Sequence, residues 1–171
     1  MPALHLVYCV TDDYSGLEFP VITSVFFIIF TSATVAYYRK KENILTKLFE
    51  LAFEENAWNS ALMGAVFSGV FLCFVTFLSV PPLIRVRNIY NENQLQYIEG
   101  RVTEYSPMPY AGHENEYFEV KGVKFWFSDY DEGGHYNNAA SHGGVIKPGL
   151  YVRIGYYYTG FQNDILKLET E

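Results

Sequence analysis

The residues best suited to chemistry crowd into one stretch. From Asp129 to Lys147 the chain reads DYDEGGHYNNAASHGGVIK, holding Asp129, Asp131, Glu132, His135 and His142. His113 and Glu116 stand in a second polar stretch just before it. Imidazole nitrogens and carboxylate oxygens bind divalent ions such as Zn²⁺. His113, His135, His142, Asp129 and Asp131 are therefore candidate metal ligands, and a metal-dependent hydrolase is one function to weigh. No two of these histidines follow an HxH or HxxxH spacing, however, and Asp, Asn and Gly are also the residues that tight turns demand. Both readings stand. Ser141-His142-Gly143-Gly144 sets a hydroxyl beside a base, but adjacent side chains seldom aim at each other and no G-x-S-x-G elbow surrounds this serine. The pairs Gly133-Gly134 and Gly143-Gly144 lack the strand-to-helix setting of a phosphate loop and read as hinges. No catalytic residue and no cofactor is assigned.

A second group is aromatic. Tyr117, Trp126, Tyr151, Arg153 and Tyr157 fall on the outward positions of the strands argued below. Tyr, Trp and Arg dominate binding hot spots, so these five are binding candidates for a protein partner. The competing reading is that loops or a stalk cover them.

The elements that must position these residues are strands. From Tyr97 the hydrophobic period is two, and Tyr97 to Tyr105 alternates as a first strand. Glu116 to Ser128 reads EYFEV-KG-VKFWFS, two strands joined by Lys121-Gly122. A two-residue turn there sets Val120 opposite Val123, Phe118 opposite Phe125, Glu119 opposite Lys124 and Tyr117 opposite Trp126. Apolar pairs then share one face, and an ion pair and an aromatic pair share the other. After Pro148-Gly149, Leu150 to Tyr157 is a fourth strand with Val152, Ile154 and Tyr156 inward, and Asp164 to Glu169 a fifth. Five short strands hide their edges most economically by curling, so residues 97–171 are expected to form a small all-β domain, an OB-like or similar partly open barrel.

Ahead of it the chain is of another character. Pro20 to Tyr38 (PVITSVFFIIFTSATVAYY) and Trp58 to Leu78 carry no charge. A helix rises about 1.5 Å per residue, so each segment is about as long as the hydrocarbon core is thick, roughly 30 Å. Residues 20–38 and 58–80 are expected as transmembrane helices in an α hairpin, the second ended by Pro81-Pro82. The N-terminal nineteen residues have no Lys or Arg, which fits poorly with a cleaved signal peptide. Ser60, Gly64, Ser68 and Ala61, Ala65, Gly69 repeat at the spacing that lets helices approach closely. They suit packing on the first helix, which carries Ser32 and Ala36, or a homo-oligomer formed through the second. Neither span holds an ionisable residue to line an ion path, which argues against a channel or transporter.

Residues 39–57 form the intervening loop. There Ile44, Leu45, Leu48, Phe49, Ala52 and Phe53 recur at helical spacing with Lys47, Glu50 and Glu54 opposite, as in an amphipathic helix lying on a membrane surface. Arg39, Lys40, Lys41 and Lys47 outnumber Arg85 and Arg87 after the second span, so the loop is expected in the cytoplasm. Residues 1–19 and the C-terminus then lie outside it, with both termini extracytoplasmic. Residues 85–96 read as a polar stalk. The net charge is −7, and from Leu95 onward six Lys/Arg face eleven Asp/Glu. Such a surface is unsuited to nucleic acid. Cys9 and Cys73 make no disulfide framework and read as small buried hydrophobes.

The runs PMPYAGHENEYFEVKGVKFWFSDY and NNAASHGGVIKPGLYVRIGYY, within residues 102–168, resemble the motifs of an uncharacterised family of small bacterial membrane-anchored proteins. The resemblance implies a bacterial envelope protein, and with the two spans a bacterial inner-membrane one; it carries over no catalytic residue and does not account for the spans. With the aromatic face it leads to one expectation: an envelope binding or adaptor protein displaying its β domain outside the cytoplasm. An immunity protein against a membrane-acting toxin is a specific form of it. The alternative is the metal-dependent hydrolase.

Overall fold

The computed structural model describes residues 3–110, 114–131 and 133–171. The chain forms two compact units, Leu17–Pro81 on one hand and Met1–Gly16 with Pro82–Glu171 on the other.

The first unit is helical. Helix α1 spans Glu18–Tyr38, α2 spans Ile44–Phe53, and α3 begins at Ala57. Two helical stretches are long and apolar enough to cross a membrane, and only 22% and 17% of their apolar windows is buried within the chain. A core helix of a soluble protein would be buried on all apolar sides. Here Phe26, Ile28, Phe67 and Phe77 all point outward. Three hydroxyls inside these helices are satisfied within their own helix: Thr23 Oγ1 donates to Phe19 O, Thr34 Oγ1 to Phe30 O, and Ser68 Oγ to Gly64 O at 2.6 Å. The small residues of α3 receive α1. Ala61 is fully buried with Ala33, a Cβ at Gly64 would strike the Phe30 ring, and one at Gly69 would come within 2.9 Å of Phe27.

Helix α2 starts with a reciprocal cap, in which Thr46 N donates to Asn43 Oδ1 and Asn43 N to Thr46 Oγ1. Such a box satisfies two backbone donors that a helix start otherwise leaves unpaired. Its apolar residues are divided. Phe49 and Leu45 pack with Phe30, Tyr37 and Ala57, whereas Ile44, Leu48 and Leu51 are 76%, 53% and 82% exposed.

The second unit is a six-stranded antiparallel sheet ordered β1-β6-β5-β2-β3-β4. The strands are β1 His5–Cys9, β2 Gln96–Ser106, β3 Glu116–Val120, β4 Val123–Phe127, β5 Tyr151–Tyr158 and β6 Asn163–Thr170. The β3–β4 register is the expected one at all four pairs named above. Lys121 and Gly122 both have positive φ, 49° and 82°, the turn whose twist matches the flanking strands. The expected count of five strands is corrected to six. Residues 5–9 pair with the C-terminal half of β6, and that pairing was hidden because its partner lies some 160 residues away. The sheet is open, yet it curls. Asn163 Nδ2 donates to Lys124 O at 2.8 Å, bringing the start of β6 to β4. Beside it the Trp126 and Phe161 rings meet edge to face at 6.0 Å.

The core lies within the curl. Phe118 stacks on Phe125 at 5.2 Å, Phe125 meets Tyr156, and Phe127 meets Tyr136. Each such ring contributes about 1.5–3 kcal/mol by leaving water. Tyr136, Ala139 and Ile146 come from the 129–147 stretch and are buried in this cluster. That long connection therefore closes the core.

Pro81-Pro82 does not end α3, which continues to Asn91. The two prolines cost the backbone bonds that their missing N–H groups would make. The residues beyond them gain a partner: Ile89 is buried with Val10 and Leu166, and Val86, Tyr90 and Tyr157 pack beside them. The polar stretch at residues 85–91 is thus a helix docked on the sheet. Cys9 is buried, but Cys73, expected to be buried, is exposed on α3.

Candidate functional site

The outward residues of the sheet fall into three environments. On β3 and β4, Tyr117 faces Trp126 and Glu119 faces Lys124. The Tyr117 hydroxyl donates to Glu119 Oε1, and Lys124 Nζ lies 3.6 Å from the same oxygen. Phe161, which is 78% exposed, extends this aromatic patch from the β5–β6 turn.

Tyr151 and Arg153 belong to a second group across β2, β5 and β6. The Tyr151 hydroxyl donates to Glu99 at 2.7 Å, and the Arg101 guanidinium lies over its ring. Arg153 lies over the Tyr97 ring and 3.8 Å from Glu169, which also takes Lys167 at 2.8 Å. Tyr151 and Arg153 thus each have partners on neighbouring strands, and Lys167 has one on its own strand, the usual composition of a solvated sheet face. Tyr157 is apart from both groups. It is packed with Val10, Ile89 and Leu166, under the end of α3.

The candidate metal ligands also separate. His142 Nδ1 is 2.7 Å from Asp129 Oδ2, so these two are brought together. Asp131 caps a turn instead, with Oδ2 accepting from Ser128 N at 2.9 Å. His135 buries its Nε2 without a hydrogen-bond partner. Among the described residues no three His, Cys, Asp or Glu side chains converge on a point. His113 lies outside the described residues. Ser141 Oγ is 3.2 Å from His142 Nδ1, the nitrogen that Asp129 also approaches. A serine relay needs the hydroxyl and the carboxylate at opposite ring nitrogens, so this arrangement orders a loop and does not activate a nucleophile.

Two polar features escaped sequence reasoning. Glu116 is fully buried at the start of β3, its Oε2 accepting from Ala140 N at 2.8 Å. Burial pushes its carboxyl up, opposed by the N–H groups of Ala140 and Met108 and the Tyr105 hydroxyl. Burial and the facing carboxylate push Tyr105 up to about 12. The strand alternation could have found Glu116, since it shares parity with Phe118 and Val120.

The other feature joins the N-terminal segment to the end of α3. Arg87 Nη2 donates to Asp13 O at 2.7 Å, its guanidinium lies over the Tyr14 ring, and the Tyr8 hydroxyl donates to Asp13 Oδ2. Burial raises the Asp13 carboxyl, but the Ser15 N–H and hydroxyl, the Tyr8 hydroxyl and Arg87 together hold it below the usual range. Nothing in the sequence links Asp13 to Arg87.

No protein-family pattern, no curated protein and no solved structure matches this chain.

Proposed function

We propose that the chain is a membrane-anchored binding or adaptor protein of the bacterial envelope, with its β domain outside the cytoplasm. An immunity protein against a membrane-acting toxin is its most specific form. The observation that carries this reading is the aromatic patch of Tyr117, Trp126 and Phe161. The Glu119–Lys124 pair flanks it, Phe161 extends it as an exposed ring, and it has the composition of a protein-binding hot spot. The bacterial setting rests on the motif resemblance.

The topology draws support from the sheet. Strand β1 precedes α1 and β6 follows α3, yet they pair. Paired strands must lie on one side of a bilayer, which requires an even number of crossings between them. Two spans meet that condition. The basic loop between the spans favours the cytoplasm for that loop, leaving the sheet outside. We also read β2–β6 as an OB-like, partly open barrel. The order β6-β5-β2-β3-β4 and the approach of β4 to β6 support it, with β1 occupying the part of β6 that full closure would use.

Photocrosslinking in intact membranes tests the binding reading. A crosslinker at Lys124 should capture a partner, and Trp126→Ala with Tyr117→Ala should abolish the adduct while the protein remains folded. An adduct undiminished by the double substitution would remove the patch from the proposal.

A further inference from the structure

We propose that the corner between α1 and α2 is a binding site for one anionic phospholipid, its phosphate held by Arg39 and Lys41. The inference rests on the reading that the helical unit lies in a bilayer. A pocket opens at this corner, lined by Thr31, Ser32, Val35, Ala36, Arg39, Lys41 and Asn43, with a volume of about 340 Å³. Two of its lining residues are cations and Ser32 and Asn43 are polar, while the Thr31 hydroxyl is buried without a hydrogen-bond partner. Among the described residues no ion pair engages Arg39, Lys40 or Lys41. Glu42 is the one acidic neighbour in sequence.

The backbone holds the cations in place. Lys40 N donates to Tyr37 O, Lys41 N to Ala36 O, and Lys40 sits at φ 52°. This is the closing motif of a helix C-terminus, where glycine is the usual residue at the left-handed position. Here that position carries a charge between two others.

Below the pocket runs a track for the acyl chains. Val21, Val25, Ile28, Ser32, Val35 and Arg39 lie on one face of α1 by the helical period. The four apolar residues among them are 59%, 50%, 61% and 42% exposed. From Ile28 to Arg39 the helix rises about 16 Å, close to half the hydrocarbon thickness and so the depth of one leaflet. Helix α2 starts directly after Asn43, and its Ile44, Leu48 and Leu51 are exposed, as in an interfacial helix that dips into the same leaflet. A cationic polar pocket above an apolar stripe one leaflet deep matches a phospholipid and not a soluble anion. Zwitterionic lipids have the same chains but cancel the charge that Arg39 and Lys41 read.

Native mass spectrometry of the full chain in detergent, titrated with phosphatidylglycerol or phosphatidylcholine, tests the site. One phosphatidylglycerol should bind in preference, and Arg39→Gln and Lys41→Gln should each weaken it roughly five-fold. Lys47→Gln, outside the pocket, should leave the preference intact. Equal binding of the two lipids, or an unchanged preference in the Arg39→Gln, Lys41→Gln double variant, overturns the proposal. Displacement of the lipid by millimolar inorganic phosphate alone would also overturn it, by making the pocket a general anion site. Flotation of the chain with vesicles separates the two readings. If the chain floats without a lipid preference, only this inference falls; if it fails to float, the membrane reading falls with it.

Discussion

At the scale of single residues, the most costly group in the β domain is Glu116. A carboxylate taken out of water is tolerated only where donors surround it, and Ala140 N supplies one across a span of 24 residues. The contact ties the 129–147 connection to the first residue of β3. Because burial raises its pKa, the folded chain keeps this proton to higher pH than the unfolded chain does. The group is therefore least destabilising below the ordinary carboxylate range, near pH 4.3, and its cost grows as pH rises through the raised value. Glu116→Gln, which retains an oxygen for Ala140 N, should gain in thermal midpoint over wild type as pH is raised from 4 to 8. A constant difference across that range would mean that the carboxylate is not paying for its burial. Glu116→Ala should cost about 1–3 kcal/mol at pH 4, since it leaves the Ala140 N–H without a partner, and less as pH rises.

At the scale of elements, the helical hairpin rests on small-for-large complementarity. In lipid, where the proposed function places them, there is no hydrophobic force between helices, so close backbone approach and dispersion must hold them together. Gly64 admits the Phe30 ring, and that ring is itself held by Phe49 at 5.4 Å, edge to face. It has little room to swing away. Gly64→Ala should destabilise the hairpin by about 1–3 kcal/mol, read as an earlier midpoint in detergent-denaturant titration. Gly16→Ala, with nothing within 4 Å of the added carbon, should change stability by less than about 0.5 kcal/mol. A Gly64→Ala midpoint equal to wild type would show that the two helices do not pack as described.

At the scale of the whole molecule, the pairing of β1 with β6 ties the residues before the hairpin to those after it. A reporter enzyme active only outside the cytoplasm, fused after Glu171, should be active, and a fluorescent protein that matures only in the cytosol should stay dark there. Replacing Arg39, Lys40, Lys41 and Lys47 with Gln leaves Arg85 and Arg87 as the nearest basic residues, so the hairpin should invert or become mixed. A wild-type reporter reading cytoplasmic would reverse the proposed orientation and turn the β domain into a cytosolic module.

Much of this was legible in the sequence because it depends on neighbours along the chain. The two apolar spans needed only length and composition. The β3–β4 hairpin needed only alternation around Lys121-Gly122, and its register alone puts Phe118, Val120 and Phe125 on the inner face. What tertiary structure alone decided was pairing between distant segments. The strand at His5–Cys9 is too short to announce itself and exists because β6 offers an edge. Helix α3 passes Pro81-Pro82 because Ile89 finds Leu166 on the sheet and Val10 in the turn just after β1. Outward strand positions were foreseen for Tyr117, Trp126, Tyr151, Arg153 and Tyr157, but not which would be covered. Alternation says which face a side chain takes, whereas its neighbours across the sheet and the helix packed over it come from contacts that no local period encodes.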